Sequence, residues 1–137
     1  MGSFAAFAGP TPFDPLAESM TLFPAVVRGW IAWLVVVGVS SVFFAWRHAG
    51  ARWVLGAYVC NHAVAIGSGQ IFGAEALTNG LVSVTHVVFW TPAVFMLIRG
   101  LGSLDRASVY GVWHIVAMLT MAISLFFDYR DTFIFLS

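Results

Sequence analysis

The chain has no lysine, a single cysteine and very little charge. Six arginines balance six acidic residues, so no basic surplus exists with which to bind nucleic acid. Cys60 has no second thiol to pair with, which excludes an internal disulfide and any cysteine-based zinc or iron–sulfur framework. Only 9% of the 137 residues are charged, against about 25% in an average soluble domain. Disorder is excluded as well, because 61% of the residues are hydrophobic. The motifs H-E-x-x-H and G-x-S-x-G are missing, as are a P-loop and a dinucleotide fingerprint. No carboxylate lies inside an apolar run, which argues against paired-acid catalysis and against an Asp/Glu proton relay. An enzyme is therefore not the expected class.

What the chain does have is long apolar runs, with a mean hydropathy of +0.93. A bilayer core takes roughly 20 apolar residues per helix. Four runs meet that length, over residues 24–46, 53–72, 80–98 and 107–127, and nearly all charges fall between them. Stretches such as Trp33–Val39 do not alternate, which excludes a β-barrel. The expected fold is all-α: an integral membrane four-helix bundle, up-down-up-down, with short loops and both termini on one side.

Residues 1–23 precede the first run. Pro10, Pro12 and Pro15 break helices and Phe4, Phe7 and Phe13 suit an interface, so this part reads as an extended surface arm. Arg47 and Arg52 mark one loop and Arg99 and Arg106 another, while only Arg28 and Arg130 lie on the other side. The positive-inside rule then puts loops 47–52 and 99–106 in the cytoplasm and the termini outside, in a cell (inner) membrane.

Polar groups within a span face the bundle or a cavity. The second run carries Tyr58, Asn61 and His62 among the small residues Gly56, Ala63, Ala65, Gly67 and Gly69. Ala63/Gly67 and Ala65/Gly69 have the small-xxx-small spacing that admits a neighbouring helix. The third run sets Asn79, Ser83, His86 and Trp90 on one stripe ahead of a kink at Pro92. The fourth sets Tyr110, His114, Ala117, Met121, Ser124 and Asp128 on another. Tyr58, Asn61, Ser83 and Ser124 are expected to form a polar network. Arg28, Asp128, Arg130 and Asp131 form a charged cluster at the outer end, in which Arg28 is expected to latch onto Asp128.

Histidine is the residue that would change the functional class, since neutral imidazole ligates haem iron and metals. At about 1.5 Å per residue, His62 lies roughly 14 Å from the arginine boundary, His114 roughly 10 Å and His86 roughly 20 Å. By that count His62 and His114 are nearly level and suited to haem b or a chlorophyll-type pigment, with His86 one turn away. Three functions follow: a non-catalytic subunit or helper packed in a larger membrane complex, an electron-transfer or light-harvesting-associated cofactor protein, and an oligomeric solute or ion conduit. The partners expected are the lipid bilayer and other membrane subunits or further copies of the chain.

Overall fold

The computed structural model describes residues 10–137, so Phe4 and Phe7 of the arm lie outside the described residues. No strand occurs among the described residues. Where an extended arm is expected, the chain forms a helix, α1 (Asp14–Leu22). Pro15 stands in its first turn, where a missing N–H removes no helical bond. Asp14 accepts from the Thr11 amide at 2.8 Å and from the Thr11 hydroxyl. These bonds hold the Asp14 carboxyl below the usual carboxylate range, so the contribution is present at neutral pH and lost as acid protonates it. Gln70 ties the arm down by donating to the Pro12 carbonyl at 2.7 Å.

The first apolar run becomes α2 (Ala25–Ser40) and α3 (Val42–Ala45), one 21-residue rod interrupted at Ser41. The Ser41 hydroxyl bonds back to the Gly38 carbonyl, a local competitor of the helical ladder that bends helices. Next, α4 (Ala49–Phe72) starts four residues before the expected 53. Arg52 ends the apolar run there, but a charge does not end a helix. Gly73, at φ +84°, does end it, in a positive-φ conformation that glycine adopts and side chains disfavour. A 3₁₀ turn (Ala74–Leu77) leads to Gly80, at φ +97°, whose missing side chain leaves room for the Phe135 ring.

The third run is α5 (Leu81–Gly100), followed by a 3₁₀ turn (Leu101–Ser103). The last, α6 (Val109–Leu136), is capped by the Ser108 side chain, which accepts from the Gly111 amide at 2.9 Å. It continues well past the expected end at 127, because residues 128–136 contain neither glycine nor proline. Among the described residues three rods are long and apolar enough to cross a membrane: Ala25–Ala45, Leu81–Ser103 and Val109–Leu136. At 24 residues α4 is about 36 Å long, but Arg52, Asn61, His62 and Gln70 make it more polar.

Packing places α5 against both α4 and α6, with α2 leaning on the same two helices from another side. The core is Leu34, Val54, Ala57, Tyr58, Trp90, Ala93, Val94, Leu97, Met121 and Leu125. Two tryptophans fasten α2 to α6, Trp33 donating to Thr120 Oγ1 at 3.1 Å and Trp113 to Ser40 Oγ at 2.8 Å. Helices α2 and α4 meet where the Tyr58 ring lies on Gly38, so closely that a Cβ at 38 would overlap the ring.

The expected small-residue faces divide. Ala65 and Gly69 are buried, with Gly69 against Pro15 and Leu77. Ala63 points outward, and an added Cβ at Gly56 or Gly67 would meet nothing within 4 Å. Gly38→Ala should therefore cost about 1–3 kcal/mol through overpacking. Gly67→Ala should be neutral or slightly stabilising in the helix. Thermal unfolding in detergent micelles measures both.

Candidate functional site

Four rings form a column across the α4–α5 contact. His86 and Trp90 are four residues apart on α5, and Tyr58 and His62 four apart on α4, so each pair shares a helix face. His86 stacks on Trp90 with centroids 4.1 Å apart, Trp90 on Tyr58 at 5.0 Å, and Tyr58 lies 6.1 Å from His62. Trp90 is only 1% exposed. Its indole N–H and the Tyr58 hydroxyl have no hydrogen-bond partner among the described residues. Each such buried group costs on the order of 1–3 kcal/mol, which makes the column a place where packing overrides polar satisfaction.

The column is anchored at its α6 side. His86 Nδ1 lies 2.9 Å from Asp128 Oδ2, and Ser124 donates to the same oxygen at 3.2 Å. A carboxylate only accepts, so Nδ1 carries the proton and the Nε2 lone pair is left outside this bond. A carboxylate behind an imidazole fixes the ring's tautomer and orientation, as it does behind metal-ligating histidines. At the neighbouring position, Thr85 donates to Asn61 Oδ1 at 2.6 Å, joining α5 to α4. His62 donates from Nδ1 to the Tyr58 carbonyl of its own helix at 2.8 Å.

His114 belongs to a different cluster. It donates from Nε2 to the Leu97 carbonyl at 2.8 Å and accepts from the Tyr110 hydroxyl at 3.1 Å. That carbonyl is free because the Leu101 amide, turning into the 3₁₀ segment, bonds Ile98 instead. Both His114 nitrogens are thus spent within the protein. Tyr110 is in turn covered by His48, stacked at 3.5 Å and 6°.

The expected pairing of His62 with His114 is not what the helices assemble. Gly50 meets both Leu97 and His114, which puts His114 level with the start of α4. His62 is twelve residues further on, about 18 Å along the axis. Arginines mark the ends of apolar runs but not the ends of helices. Helix α4 in fact starts at 49, whereas only five residues of α6 precede His114. The Asn61–Thr85 bond instead brings His62 and His86 to a common level. Among the described residues no three His, Cys, Asp or Glu side chains converge as metal ligands.

Two other expectations are replaced. Asp128 is buried towards α5 and pairs with His86, not with Arg28, which is exposed near the start of α2. Arg130 and Asp131 are exposed, and no other ion pair occurs among the described residues. Asn61 and Ser124 are buried and bonded, but the partner of Asn61 is Thr85, two positions from the expected Ser83. Thr85 is the residue sequence reasoning missed. Its only signal was a hydroxyl beside His86 inside an apolar run.

Breaking the His86–Asp128 pair tests its role. His86→Leu leaves a buried carboxylate without its partner and should cost roughly 3–5 kcal/mol. Leu at both positions should recover most of that loss, as measured by a double-mutant cycle on thermal unfolding.

No protein-family model matches the chain, and no curated protein or solved structure is significantly similar to it.

Proposed function

We propose that the chain is a four-helix membrane bundle of the cell (inner) membrane that acts as a non-catalytic subunit or helper within a larger membrane assembly. In this reading α4 is the fourth span. Asn61, His62 and Tyr58 lie at mid-helix, where polar groups are tolerated because neighbouring helices shield or bond them. The contact of Gly50 with Leu97 and His114 gathers Arg47, Arg52, Arg99 and Arg106 at one end. The positive-inside rule makes that end cytoplasmic and leaves the termini outside.

The observation that carries the proposal is the open face of α4 at Ala63 and Gly67. Small residues pointing away from the chain's own core let a helix of another subunit approach closely, where close packing rather than hydrophobicity drives association in lipid. The buried polar groups are mostly spent on internal bonds. Gentle solubilisation should release the chain in a particle larger than the monomer, with either other subunits or further copies. Gly67→Leu should shift it to the monomer without lowering its thermal stability, since nothing lies within 4 Å of an added Cβ there. A wild-type protein that is monomeric by light scattering would overturn the reading.

A second reading, haem b or chlorophyll-type pigment ligation, is favoured by one arrangement. His86 is held by Asp128 and keeps Nε2 outside that bond, at the level of His62. On this reading the purified protein carries a visible absorption band that His86→Ala removes and His114→Ala does not. A colourless preparation from cells making the pigment would overturn it.

A further inference from the structure

We propose that the groove between α4 and α5 at the arginine-bearing end is a binding site for one anionic phospholipid, with an acyl chain in the groove and the headgroup phosphate on Arg52. This rests on the four-helix membrane reading above. The groove is open along one side and has a volume of about 490 Å³, within the roughly 300–1,000 Å³ of small-molecule sites. Trp53, Gly56, Cys60, Val88, Phe89 and Pro92 are among the residues that line it, and Arg52 is the one charged residue there.

Three observations select this ligand. The first is depth. From Ala49 to Cys60 the groove follows α4 for eleven residues, about 16 Å, which matches one leaflet of a roughly 30 Å hydrocarbon core. It begins at the interface and stops near the bilayer centre, as a single acyl chain does. The second is shape. Gly56 leaves its part of the groove floor bare, and Pro92 on the opposite wall deprives the Val88 carbonyl of its helical donor. A flexible chain fills such an irregular channel at little cost.

The third is charge. Arg52 donates to the Ala45 carbonyl at 3.2 Å, which holds its guanidinium at the turn between α3 and α4, at the groove mouth. The only ion pair among the described residues is His86–Asp128, so the Arg52 charge is not neutralised by a carboxylate there. Arg47, Arg99 and Arg106 stand at the same end but none of them lines the groove, so among these arginines Arg52 is the one that meets a headgroup there. Basic pockets between membrane helices on the cytoplasmic side recognise anionic headgroups on these grounds. A zwitterionic headgroup brings no net charge to meet them.

The full chain is reconstituted in vesicles of equal phosphatidylcholine and phosphatidylglycerol with matched acyl chains. It is then transferred to mild detergent and examined by native mass spectrometry. Phosphatidylglycerol should be retained about fivefold over phosphatidylcholine, the effect of one basic residue near the surface. Arg52→Gln should bring the two to parity, while Arg106→Gln, at the same end but not lining the groove, should leave the preference intact. Gly56→Leu should fold normally and retain less of both lipids, since the added side chain enters only the groove.

Equal retention in the wild type, or a preference that survives Arg52→Gln, overturns the site. Cys60 supplies a separate reading, being exposed, in the groove and the chain's sole thiol. Phosphatidylglycerol should slow its reaction with a membrane-permeant maleimide. A membrane-impermeant maleimide that labels Cys60 at full rate in pure phosphatidylcholine vesicles would instead overturn the crossing of α4, and the site with it.

Discussion

Where water is scarce, a buried acceptor must be met by a donor from another part of the chain, and the structure is organised around that requirement. Three such bonds connect α5 to its neighbours at two heights: Thr85 to Asn61 and His86 to Asp128 at one, and the Leu97 carbonyl to His114 at the other. Each has a narrow geometry, so together they set the register in which α4, α5 and α6 lie side by side. Apolar packing alone would tolerate a slide of one turn. These bonds do not.

The same requirement gives the two ends of the molecule different characters. At one end the His114 ring closes a helix terminus and is itself closed in by Tyr110 and His48, which leaves it no free nitrogen. Towards the other end His86 is oriented by a carboxylate and stacked on Trp90, and one ring nitrogen stays out of the Asp128 bond. Chemically identical side chains thus become a cap in one place and a poised imidazole in the other. The column from His86 to His62 includes two buried polar atoms with no partner among the described residues, so aromatic contact there outweighs polar satisfaction.

The outer surface follows a different rule. Its valines, leucines and phenylalanines suit lipid, and the small residues Ala63 and Gly67 interrupt that surface along α4. The groove above Gly56 and the open face at Gly67 occupy separate stretches of the helix. The proposed lipid and the proposed partner helix therefore involve different residues.

Helix content and its apolar character were legible in the chain itself, because hydrophobic runs of bilayer length and an excess of apolar residues need no tertiary information. So was the inward stripe of α6, since His114, Ala117, Met121, Ser124 and Asp128 follow the helical repeat and are all buried. The start of α4 and the end of α6 were not, because a charge closes an apolar run without breaking a backbone ladder. Nor did the sequence reveal α1, whose Pro15 reads as a breaker until its place in a first turn is known. Which histidines stand level, and whether Asp128 faces Arg28 or His86, was decided only by the way the helices dock. Composition limits what a side chain can bond to, but its actual partner depends on the offset between two rods, and a shift of a few residues exchanges one donor for another.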